Sequence, residues 1–129
     1  MKILGIDTTG QTASAALVED DKLICEFTLN YKLTHSQTIM PMIAEIIERS
    51  ETDKASIDCI ACAAGPGSFT GLRIGIAGVK GLAWAASKPC IPVSTLEAMA
   101  WPLSHLDGII VCAMDARRQQ IYNAVFQAC

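Results

Sequence analysis

Gly65 to Gly75, GPGSFTGLRIG, is the stretch whose residue types and spacing come nearest to chemistry. Glycines at 65 and 67 suit a turn that needs positive φ or a close backbone approach. A helix predicted to start at Ser68 or Thr70 would present free N–H groups there, a generic seat for an anion. The spacing nevertheless fits neither standard phosphate motif. It is not Gly-x-x-x-x-Gly-Lys-Ser/Thr, and it reads Gly-x-Gly-x-x-x-Gly in place of the dinucleotide pattern. Two readings stay open: contact with a nucleotide or anion through Gly65, Gly67 and Ser68, or close packing. For packing, Gly71, Gly75 and Gly78 share one helical face that Leu82 and Ala85 continue. A glycine inside a helix costs about 1 kcal/mol against alanine, so a close approach by this fold or by a partner helix must offset it. On the partner reading, Gly75→Leu should weaken pairing while leaving the chain folded.

Other candidates carry less. Asp7, Thr8 and Thr9 close the first predicted hairpin, where actin, Hsp70 and sugar-kinase folds approach nucleotide phosphates or their metal. An Asp in a turn also hydrogen-bonds its own backbone, and the glycine usual after that Asp is here replaced by Thr8 and Thr9. His35 opens the first long helix, but the i+4 position of a helical metal pair is Ile39. Capping or packing suits His35 better, and His105 carries no signal. Cys59-x-x-Cys62 has metal or redox spacing, yet one such pair falls short of four ligands. On a strand those two side chains face opposite sides. The sequence nominates no Ser-His-Asp or Cys-His set, no paired carboxylates and no cofactor.

The elements that must position these residues follow from patterning. The 129 residues, 51% hydrophobic and 18% charged, are enough for one globular core. Two Trp, two Tyr and three Phe leave that core to Ile, Leu, Val, Ala and Met. A net charge of −3 lacks the basic footprint of a nucleic-acid binder. Any nucleic acid would be touched through a partner. Six cysteines without a secretory leader read as reduced thiols of a cytosolic protein, mostly small hydrophobes. No apolar run reaches the ~20 residues that span a bilayer.

Lys2 to Asp7, Thr12 to Val18 and Lys22 to Leu29 read as three strands of an antiparallel meander. Thr34 or Ser36 caps a helix to about Ser50, with Ile39, Ile43, Ile46 and Ile47 on its apolar face. Met40 and Met42 widen that face, and Pro41 could kink the helix. Asp58 to Ala64 is a fourth strand, the glycine-rich helix runs to Ala86, and Pro89 to Val93 is a fifth strand. Ser94 or Thr95 caps a last helix ending near Pro102. The order βββαβαβα implies a mixed five-stranded sheet with right-handed crossovers. A weak repeat follows: Gly108 to Met114 is again a strand, Asp115 to Arg118 a polar turn, and Gln120 to Gln127 a strand. Asp7 aligns with Asp115, Ala16 with Ala124 and Leu17 with Val125. Residues 1–106 then form one lobe, and 107–129 open a second that continues in a longer protein, because two strands alone are marginal in water.

IDTTGQTASAAL, HSQTIMPMI, AAGPGSFTGLRIGIAGVKGLA, PVSTLEAMA and MDARRQQIYNAVF occur in an order that resembles the TsaB (YeaZ) family. The resemblance spans essentially the whole chain. It implies an actin/Hsp70/sugar-kinase-like, ribonuclease H-like α/β fold in two lobes. It also implies a non-catalytic subunit in making threonylcarbamoyladenosine, the modified tRNA adenosine next to the anticodon. The TsaD-like catalytic subunit holds the metal on a His-x-x-x-His helix, a pattern that His35 and Ile39 break. Implied partners are that TsaD-like subunit, a TsaE-like ATPase and a second copy in a homodimer, with tRNA reached only through the complex and no membrane. The first-lobe helices would form the interface, and the expected contacts are Ile39, Met42, Ile43, Gly71, Gly75, Gly78 and Leu82. An ATP-dependent phosphotransferase of the sugar or acetate kinase type is the alternative, and a metalloprotease is disfavoured by the missing second His.

Overall fold

The computed structural model describes residues 1–30 and 34–128. The meander forms as patterned: β1 (Lys2–Asp7), β2 (Ala13–Glu19) and β3 (Lys22–Leu29). α1 (His35–Arg49) follows, then β4 (Cys59–Ala63), α2 (Phe69–Ala86), β5 (Cys90–Val93) and α3 (Thr95–Ala100). The sheet order is β3-β2-β1-β4-β5, with β1–β2 and β2–β3 antiparallel and β1–β4 and β4–β5 parallel. This is the mixed five-stranded α/β sheet that the element order implies.

Alternation decides which side is covered. Leu4 and Ile6 of β1, Ala15 and Leu17 of β2, and Ile60 and Cys62 of β4 point to one face. There they meet Ile39, Ile43 and Ile46 of α1 and Val79 and Ala83 of α2. The helices start at the predicted caps. Thr34 precedes α1, and Ser68 precedes α2 with its hydroxyl accepting from the Gly71 N–H at 3.3 Å. Pro41 sits inside α1 on an exposed position, and the helix runs through it. α3 stops at Ala100, and a single 3-10 turn, Trp101–Leu103, carries the chain past Pro102.

Among the described residues, β6 (Gly108–Arg117) and β7 (Gln120–Ala128) pair only with each other, as a separate two-stranded sheet. One side, with Ile110, Cys112, Met114, Ala124 and Phe126, packs on Leu96 and Ala100 of α3. Ile109, Val111, Ile121 and Val125 on the hairpin are left more than half exposed. The expected polar turn at Asp115–Arg118 is corrected. Strand β6 continues through Asp115 to Arg117 across a bulge, and the reversal falls at Arg118 and Gln119. Both have positive φ, 53° and 60°, the handedness that suits a tight hairpin. The first hairpin is instead joined by residues 8–12, so the two copies of the pattern differ at their turns. Cys129, the last residue of the expected second segment, lies outside the described residues.

Candidate functional site: a turn seated on a glycine helix

The glycine-rich segment and the β1–β2 turn form one unit. Thr8 is fully buried, and its hydroxyl donates to the Gly71 carbonyl at 2.6 Å. A methyl group on Gly71 would fall well under 3.0 Å from the Thr8 carbonyl oxygen, and one on Gly75 equally close to the Thr8 hydroxyl. A Cβ on Gly67 would lie 2.6 Å from Thr9 Cβ. The Ser68 N–H donates to the Thr9 carbonyl at 2.7 Å. Three glycines thus let the backbone of α2 and its leading loop close directly onto two threonines. Gly65 serves the loop differently, through a φ of +119° that other residues rarely adopt.

The turn also satisfies itself. Asp7 Oδ1 accepts from the Thr9 N–H at 2.8 Å and from the Thr9 hydroxyl at 2.6 Å. That is the local Asx geometry expected of a turn aspartate. His35 at the start of α1 brings Nε2 to 2.7 Å from the Gly10 carbonyl oxygen.

Beside this unit lies a cleft of about 650 Å³. Thr9, Gly10, Gln11, Gly67, Ser68, Phe69 and Thr70 form one wall, and Met114, Asp115, Ala116, Arg117 and Tyr122 of the hairpin form the other. Of the residues expected to contact a nucleotide or anion, Thr9, Gly67 and Ser68 reach this cleft. Asp7, Thr8 and Gly65 do not line it. Asp7 lines a separate, mainly apolar recess of about 240 Å³ on the other face of the sheet, with Gly5, Ala16 and Ala61. The second wall was invisible in the sequence, because it needs the hairpin to fold back past α2. Among the described residues, no cluster of three or more His, Cys, Asp or Glu side chains could hold a metal ion.

Most of the expected partner contacts are engaged within this chain. Ile39, Met42 and Ile43 are buried within this chain, because the apolar stripe of α1 faces the sheet. Gly71 and Gly75 are covered by Thr8, so Gly75→Leu would disrupt the fold itself. Among the described residues, none comes within 4 Å of a Cβ built on Gly78, and Leu82 packs half-buried at the edge of the core. The exposed side of α1 carries Met40, Ala44 and Glu48. That of α2 carries Phe69, Arg73, Ala77, Lys80, Gly81 and Trp84. Phe69 is 73% and Trp84 87% exposed, large apolar groups left in water. The Arg73 guanidinium lies 5.4 Å from the centre of the Phe69 ring.

The cysteines divide by burial. Cys59, Cys62 and Cys112 are buried, Cys25 is half-buried and Cys90 is exposed. Cys62 joins the core under the helices, whereas Cys59, on the opposite face, does not. Burial pushes the Cys62 thiol up to about 11. The thiolate is the reactive form. Iodoacetamide at pH 8 should therefore modify Cys90 well before Cys62 in the folded protein, as mass spectrometry of tryptic peptides would read. Equal rates would mean that β4 is not sealed.

The meander, the parallel β1–β4–β5 half and the seated turn define a ribonuclease H-like α/β lobe of the actin and sugar-kinase class. A family model described as "TsaD: tRNA N6-adenosine threonylcarbamoyltransferase" matches residues 22–129. The chain is 39% identical over 127 residues to the tRNA threonylcarbamoyladenosine biosynthesis protein TsaB of Bacillus subtilis (strain 168), covering 98% of this chain and 56% of that one. It is 41% identical over 129 residues to TsaB of Escherichia coli (strain K12), covering 98% of this chain and 55% of that one. A solved structure of YeaZ from Pseudomonas aeruginosa superposes with a TM-score of 0.88 at 30% identity, covering 98% of this chain and 60% of that one. The chain belongs to the TsaB/YeaZ family. It spans about half the length of the curated relatives it matches.

Proposed function

We propose that the protein acts as a non-catalytic subunit in threonylcarbamoyladenosine formation on tRNA, by pairing with a TsaD-like catalytic subunit. The observation that carries this is the outer side of α1 and α2. Met40, Phe69 and Trp84 stand exposed there among the small residues Ala44, Ala77, Gly78 and Gly81. Small residues let a facing helix approach closely, and large exposed aromatics supply anchors. The names of the relatives supply the pathway. The glycine-rich segment fits a supporting role, since the Ser68 and Gly71 N–H groups at the start of α2 are engaged inside the chain. In this reading a TsaE-like ATPase joins the pair, tRNA is bound through the assembly in the cytoplasm, and the same helices serve a homodimer when the partner is absent. Residues 107–129 open a second lobe, consistent with the hairpin's separate sheet and its apolar outer side.

The test uses the intact protein with a purified TsaD-like subunit. Ala77→Arg and Trp84→Glu place charge on the outer stripe, and both replace exposed residues. Each should weaken co-sedimentation by about tenfold or more, within the range of interface hot spots, with an unchanged melting temperature. Modification of tRNA by the TsaD-like and TsaE-like proteins should fall in parallel. Modification at the full rate without this protein would overturn the reading.

A further inference from the structure

The β1–β2 turn is held on α2 as far as Thr9 and then leaves it. Thr8 and Thr9 are fixed by Gly71 and Ser68, and the β1–β2 ladder resumes only at Ser14 opposite Asp7. Gly10 and Gln11 lie between, exposed, at the mouth of the cleft. Among the described residues, nothing packs within 4 Å of a Cβ built on Gly10. Support for this tip comes from α1, where His35 Nε2 is 2.7 Å from the Gly10 carbonyl oxygen. The ring edge, Cδ2, also lies 3.3 Å from a Cβ built on Gly71, so the imidazole rests over the bare backbone of α2. One ring thereby touches α1, α2 and the turn.

We propose that His35 is a latch, its Nε2–H holding the tip of the β1–β2 turn to the first turn of α1 and so setting the mouth of the cleft. A carbonyl oxygen only accepts, so the hydrogen must sit on Nε2. In the neutral ring this leaves the lone pair on Nδ1, a single tautomer fixed by one contact. The helical register explains the placement. His35 is the first residue of α1, and Thr34 before it is held as the cap by its N–H to Gln37 Oε1 at 3.3 Å. This role differs from a metal or acid–base role and is independent of which partner the outer helices bind.

Two measurements on the intact protein test it. Imidazole nitrogen shifts at pH 8 should show the Nε2–H tautomer for His35, and an Nδ1–H ring would overturn the proposal. Amide hydrogen exchange at Gln11 and Thr12 then reads the latch itself. His35→Phe keeps a ring over Gly71 without the donor and should speed local exchange by about tenfold, as local opening does, with β1 amides unchanged. His35→Gln restores an N–H donor and should bring exchange back to near the parent rate. Parent-like exchange in His35→Phe would overturn the latch. Should that variant not fold, the tautomer in the parent protein decides alone.

Discussion

Gly71→Ala is expected to destabilise the protein by about 2 kcal/mol or more, in spite of a helix propensity that favours alanine by about 1 kcal/mol. The new methyl would meet the Thr8 carbonyl oxygen, which is backbone and cannot rotate away. It would also crowd the His35 ring. Relief requires α2 to move off the turn, and that movement breaks the bond from the Thr8 hydroxyl to the Gly71 carbonyl. Gly78→Ala, on the same helix, meets open space. It should add about 0.5–1 kcal/mol, the ordinary propensity gain. Urea unfolding of the two variants should therefore shift in opposite directions. A gain at both positions would show that the seat for the turn is loose.

Ile46→Ala should cost about 2–5 kcal/mol, the range for emptying a well-packed aliphatic site. Ile46 is fully buried among the strand residues under α1. Small domains have only about 5–15 kcal/mol in total, so the unfolding midpoint should drop steeply. Met40→Ala, on the opposite side of the same helix and 46% exposed, should stay within about 0.5 kcal/mol. The pair tests the orientation of α1 directly. Similar losses at both positions would mean that the helix is rotated about its axis.

The sheet and its order were legible because the signals were local. Alternation in KILGID and ASAALVE and the caps Thr34, Ser68 and Ser94 mark the element ends to within a residue or two. What the apolar face of α1 packs against was not legible, because periodicity shows that one face is apolar, not which surface claims it. Ile39 and Ile43 went to this chain's own sheet. The glycines of α2 called for a close approach by this fold or by a partner helix, and at Gly71 and Gly75 it is Thr8 that approaches. That contact joins residues 63 positions apart, which no spacing rule reaches. The second reversal was placed early because Arg118 and Gln119 adopt positive φ without glycine or asparagine to announce it.

The seat under the turn also bears on how such sequences can change over generations. The hydroxyl of Thr8 fills the space that a side chain at Gly75 would need, so neither position is free to drift alone. Replacing Thr8 by alanine would vacate the room for a methyl group at position 75, whereas the larger residue first would meet the occupied site. Descent through this family should therefore show the two positions altering together and in that order, a constraint inherited from one close contact and independent of any partner.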